Sequence, residues 1–246
     1  MVYALEIATS TPRAGRRFEP IQERELHEDA LGAVRGLPGA SRGLVVVPEF
    51  AGPLGIPDFT AYVGDINRIR RRHDLDVPPV VNELETGILS AAYVRRASSA
   101  QSIAHALDWP VETVAGRMRG LIKRKALIET SAGQYVRPES LEPGGRLYAV
   151  EAKVDDWRSA LRQVRTYRVW ADSYVLVMGD LSERAQSDLT AEVRRDRGGL
   201  MVAGRWIVRP RLGHAAARRR IQAWELLAAA TQSGLSDPTL AAPIHV

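Results

Sequence analysis

The chain has 246 residues, 45% hydrophobic and 26% charged, the ordinary range for a globular protein of one large domain or two small ones. It has no cysteine, which excludes disulfides and thiolate-held metal centres; the five histidines are scattered, so a hard cation on carboxylates is the metal option left. The net charge of +5 permits an anionic partner. No apolar run approaches the roughly 18 residues that span a bilayer, and residues 1–20 lack the apolar centre of a signal peptide, so the expectation is a cytoplasmic protein with no membrane partner.

Residues 20–34 predict a helix, with Pro20 in its first turn, acids near its start and Ile21, Leu26, Ala30 and Val34 at helical spacing. A Gly/Pro-rich turn follows, then a buried strand at 44–47, a loop at 48–57, and a strand at 59–63 entered directly from Pro57-Asp58. From about residue 65 the character changes. A basic segment at 67–72 precedes a Val-Pro-Pro break, a helix at 83–96, a short helix at 98–106, a turn at 108–110, a longer helix at 111–125 and a hairpin over 127–137. That order is the order of a winged helix. After Pro143-Gly-Gly the strand-and-helix pattern resumes: a strand at 146–154, a helix capped by Asp155-Asp156 and running to about 169, a buried strand at 173–178, a helix at 181–195, one or two strands over 200–208, and a terminal helix at 214–231. The expected architecture is α/β, with a core in two parts, residues 1–64 and 144–246, interrupted by an inserted domain at 65–143.

The composition marks one residue type. Of the 34 basic residues 31 are Arg; the three Lys are Lys123, Lys125 and Lys153. A compact ammonium whose pKa can move is the exception here, and Lys153 stands in Glu151-Ala-Lys153 on a predicted strand. Residues two apart on a strand face the same way, so Glu151 and Lys153 project together, opposite Val150, Ala152 and Val154. If that strand pairs with the one entered from Asp58, the carboxylates of Asp58 and Glu151 can share a cation. Lys153 can then orient an attacking water or stabilise a pentavalent phosphate.

Pro57-Asp58 followed by Glu151-x-Lys153 resembles the PD-(D/E)XK nuclease superfamily. Ten residues after Lys153, Gln163-Val-Arg-Thr-Tyr167 looks like the Gln-hydrophobic-x-x-Tyr motif of the RecB-like branch, on the helix after the Glu-x-Lys strand. The resemblance implies a restriction-endonuclease-like mixed central sheet flanked by helices, a Mg²⁺ (or Mn²⁺) ion on Asp58 and Glu151, and Lys153, Gln163 and Tyr167 in the catalytic site. It also implies an acid on the first helix, for which Glu25 is favoured over Glu23 and Glu28; Glu49 is a further candidate. The family's Asp and Glu-x-Lys usually lie close together, and here 92 residues intervene, which the inserted domain accounts for.

Residues 93–137 hold eight bases against three acids. Thr113, Arg117, Arg119, Lys123 and Arg124 lie on the third helix of the insert, where a winged helix meets DNA, and Arg137 follows the wing, within expected reach of a flanking phosphate. Arg158, Arg162 and Arg165 form a second basic stripe, beside Gln163, for guiding backbone phosphates. The glycines at 36, 39 and 43 lack the Lys-Ser/Thr ending of a phosphate-binding loop, so no nucleotide cofactor is expected. The reading is a Mg²⁺-dependent DNA endonuclease of restriction, repair or anti-phage type, acting as a homodimer if it cuts both strands. The alternatives are a DNA-binding regulator on an inactive nuclease-like fold, or a docking subunit of a larger defence or repair complex.

Overall fold

The computed structural model describes residues 4–6, 21–213 and 215–232, without the side chains of 4–6 and 21–25. In chain order its elements are β1 (Ala4–Glu6), α1 (Ile21–Arg35), β2 (Leu44–Pro48), β3 (Phe59–Val63), α2 (Asn67–His73), α3 (Glu83–Ala91), α4 (Ala100–Leu107), α5 (Val111–Lys123), β4 (Ile128–Glu129) and β5 (Tyr135–Val136). They continue with β6 (Arg146–Lys153), α6 (Trp157–Tyr167), β7 (Ser173–Met178), α7 (Glu183–Asp196), β8 (Gly199–Val202), β9 (Arg205–Val208) and α8 (Ala217–Thr231). The chain divides into two compact units. One takes the described residues up to Ile66 with Gly145–Ala215, the other Asn67–Gly144 with Ala216–Gln232. No helix among the described residues is long and apolar enough to cross a membrane.

The first unit is α/β: a mixed sheet in the order β1-β2-β3-β6-β7-β8-β9, flanked by helices. β1–β2, β6–β7 and β7–β8 are parallel; β2–β3, β3–β6 and β8–β9 are antiparallel. The central strands are apolar runs because both faces are covered: every residue of β3 and β7 is buried. On one face α1 lays Leu26, Ala30, Ala33 and Val34, with Leu37 just after it, against Phe59, Ala61, Tyr148, Val150 and Ala152. The opposite face of β6, carrying Leu147, Ala149 and Glu151, meets α6, which buries Ala160, Leu161, Val164 and Tyr167. The expected Asp cap is present, Asp156 accepting from the Ser159 amide at 3.1 Å.

The second unit is helical with a two-stranded hairpin, β4–β5. Its core gathers Ile88 and Leu89 from α3, Ile103 from α4, Val114, Met118 and Leu121 from α5, and Ile221 from α8. Three sequence expectations change here. The helix predicted over 83–96 stops at Ala91, because Ala92 turns extended and the chain runs on beside the hairpin, where Ser98 bridges Tyr135. The basic segment at 67–72 is a helix, α2, which buries Ile69 and Arg72. The terminal helix, expected with the core, belongs to this unit. Arg72 forks onto Glu225 of α8, Nε to Oε1 at 2.9 Å and Nη2 to Oε2 at 2.5 Å, and the Val80 amide donates to the same Oε2 at 2.8 Å. Ile221, Trp224 and Leu227 of α8 are buried. The inserted unit therefore spans Asn67–Gly144 plus α8, against the 65–143 expected.

Candidate active site

The register of β3 against β6 sets the site. Phe59 faces Val150 and Thr60 faces Ala149, so Asp58, one step before β3, falls opposite Glu151. Side chains alternate along both strands, which puts Asp58 and Glu151 on the α6 side of the sheet, away from α1. Both are buried, Asp58 at 5% exposure and Glu151 at 0%. Asp58 Oδ2 accepts the Ala152 amide at 2.8 Å, tying the entry of β3 to β6 by a side-chain bond where the backbone ladder ends. Lys153, half-buried at the end of β6, lies two residues from Glu151 on the same face.

The helix motif closes over this pair. Tyr167 donates its hydroxyl to Glu151 Oε2 at 3.0 Å, and Gln163 Nε2, one turn earlier, donates to the same phenol oxygen at 3.0 Å. Burial pushes the Tyr167 pKa well up, and the nearby Glu151 and Asp58 carboxylates push it further while the Gln163 donor opposes them. The phenol is thus held protonated, as a donor to Glu151. The structure brings Asp58, Glu151, Gln163 and Tyr167 together.

What sequence reasoning missed is the lid over them. The 49–57 loop packs on Trp170, which is fully buried, stacks at a tilt on Phe50 at 5.7 Å, and donates its indole N–H to the Leu54 carbonyl at 2.9 Å. Gly55 has φ +77°, and a Cβ there would lie 2.6 Å from Tyr167 Cε1. Only glycine lets the loop approach Tyr167 this closely. Pro53, Gly52 and Gly55 clustered ahead of Asp58 are the sequence signal that carried this. Thr60, also missed, is fully buried on the Asp58 face, and its hydroxyl has no hydrogen-bond partner among the described residues.

The other expected residues separate into those the fold leaves outward and those it consumes. Thr113, Arg117, Arg119 and Lys123 are exposed on α5, whose Val114, Met118 and Leu121 are buried. Arg124 is half-buried, paired to Glu85 at 2.8 Å and bonded to the Gly120 carbonyl. Arg137, expected at a flanking phosphate, is buried instead, donating to the Leu89 carbonyl at 2.8 Å and to the Glu142 carboxylate. It braces the hairpin against α3 and is not placed for a phosphate. On α6, Arg158 stacks over the Trp157 ring at 4.4 Å and Arg162 is exposed, but Arg165 bridges to Asp196 at 2.6 Å and Glu192 at 2.7 Å, which ends the predicted stripe. Glu25 lies on α1, its side chain outside the described residues; Glu28 and Glu49 are exposed.

Two carboxylates opposite one another are the donors that a hard divalent cation takes, so the pair fits such an ion. Among the described residues no group of three or more acidic, imidazole or thiol side chains converges on one point. Comparison with known protein families, with curated proteins and with solved structures finds no match to this chain.

Proposed function

We propose that the chain is a metal-dependent DNA nuclease of the PD-(D/E)XK type, with a restriction-endonuclease-like core and an inserted winged helix that binds the substrate. The observation that carries this reading is the opposition of Asp58 and Glu151 on one sheet face, with Glu151 oriented by the Gln163–Tyr167 pair at 3.0 Å each. Asp58 and Glu151 would hold the cation, Mg²⁺ or Mn²⁺. Bound there, it would offset charge on the phosphate and acidify a coordinated water. Tyr167 fixes the Glu151 carboxylate through its hydroxyl, and Gln163 fixes Tyr167. Lys153, at the half-buried end of β6, supplies a positive charge beside the pair for the attacking water or the phosphate.

The helical unit supports a nucleic-acid partner through α5. Its outer face presents Arg117, Arg119 and Lys123, while Val114, Met118 and Leu121 hold it to the unit's core. The short three-strand arrangement of Ser98 with β5 and β4 beside three helices supports the winged-helix reading.

The test is cleavage of supercoiled and linear duplex DNA with magnesium or manganese, beside Lys153→Ala and a chelator control. Loss of cleavage in both controls is expected. Cleavage that survives Lys153→Ala refutes this site. DNA binding without cleavage, in the wild type on every substrate, makes the chain a binding protein instead.

A further inference from the structure

We infer that the tip of the 49–57 loop, Leu54-Gly55-Ile56, is a wedge that contacts nucleobases, and that the DNA taken at the Asp58–Glu151 site is locally unpaired or distorted. This rests on the nuclease reading and names its substrate class.

Single apolar residues on a surface need no explanation. These two differ in how they are held. Leu54 is 49% exposed and Ile56 39% exposed, at the tip of a loop whose backbone is fixed from below. The buried Trp170 donates to the Leu54 carbonyl at 2.9 Å, and the Gly52 amide closes the turn onto the Gly55 carbonyl at 3.2 Å. Gly52 leaves no room above Trp170, where a Cβ would meet the ring at 2.8 Å, and Gly55 leaves none above Tyr167. The backbone is clamped on two aromatic rings while the aliphatic side chains point outward. A loop built only to cover the site would turn those side chains in.

The position ties the tip to the chemistry. Ile56 is two residues from Asp58, and Tyr167, directly beneath Gly55, is the donor to Glu151. Thr166 Oγ1 borders the same spot, 3.6 Å from where a Gly55 Cβ would stand. One turn back on that face of α6 is Arg162, exposed and without an ion-pair partner among the described residues. A rigid apolar tip beside an Arg matches a nucleotide, with a base face for the aliphatic groups and a phosphate for the guanidinium. A second copy of the chain is a poorer occupant, because a stable interface buries about 800 Å² per partner and two side chains fall far short. Apolar wedges act on DNA by unstacking a base step, and this is least costly where the base is already mispaired.

The experiment uses a fluorescent adenine analogue, brighter when unstacked, placed in a fully paired duplex and at the edge of a short central bubble, with calcium replacing magnesium so that cleavage is held off. Wild type is compared with Leu54→Ser/Ile56→Ser, whose changes are at exposed positions. Emission should rise when wild type binds the bubble, and the double variant should lose that rise and roughly tenfold in affinity for the bubble, the scale of one lost base stack. Affinity for the paired duplex should change little. No rise with wild type, or a variant that keeps both rise and affinity, overturns the wedge. So does a variant altered only in its sedimentation, which would make the tip a self-association surface. The two readings fail separately: a wedge signal without magnesium-dependent cleavage keeps the wedge and removes the nuclease, whereas cleavage without a wedge signal removes the wedge alone.

Discussion

Each unit buries a cluster of charge, and the two are built on opposite plans. In the helical unit Glu225, fully buried, faces the guanidinium of Arg72 in a two-bond fork, and the Arg72 Nη1 is completed by the Val77 carbonyl at 2.7 Å. Opposite charges meet, and the donors and acceptors named on each are matched. In the sheet unit two carboxylates, Asp58 and Glu151, are buried opposite each other, with neutral donors, the Ala152 amide and the Tyr167 hydroxyl, among their partners. A matched buried pair holds a fold together only while both members are present. Like charges at opposed positions repel one another, and such clusters recur at functional sites.

The comparison can be broken at three places. The largest effect belongs to the matched pair. Glu225→Ala leaves Arg72 buried without its carboxylate and should lower unfolding free energy by about 3–5 kcal/mol, read by urea titration. A loss under about 1 kcal/mol would mean that Arg72 swings to solvent and that α8 is not pinned by it. Next is the lid. Gly55→Ala places a methyl against Tyr167 at a φ of +77° and should cost about 1–3 kcal/mol, and the proposed magnesium-dependent cleavage should fall as Tyr167 is displaced. Unchanged cleavage would separate the loop from the site. Smaller again is Thr60→Val, which removes the buried hydroxyl without a partner and should raise stability by roughly 1 kcal/mol in thermal unfolding. A loss of stability there would show that Thr60 binds an ordered water on the Asp58 face.

Much of the sheet unit was legible because its signals are local. Apolar runs at 44–47 and 173–178 mark buried strands, and Glu151-x-Lys153 with Gln163 and Tyr167 four apart puts side chains on known faces of a strand and a helix. The register that sets Asp58 opposite Glu151 across 92 intervening residues is long-range, and sequence supplied it only through the resemblance. The arginines show the limit. Arg72, Arg137 and Arg165 look like Arg117 and Arg162 in the sequence, yet the first three are consumed by Glu225, Glu142 and Asp196 and the last two face outward. Partners 153 residues apart leave no periodicity to read, which is also why α8 was placed with the wrong unit.

The central claim, that Asp58 and Glu151 bind a divalent cation, is tested most directly by melting wild type and Asp58→Asn with and without magnesium. The asparagine keeps an acceptor for the Ala152 amide and removes the like charge. Magnesium should raise the melting temperature of the wild type and leave the variant where it is, because only a site that binds the ion gains stability from it. Equal magnesium shifts in the two proteins, or none in either, would contradict a metal site at this pair.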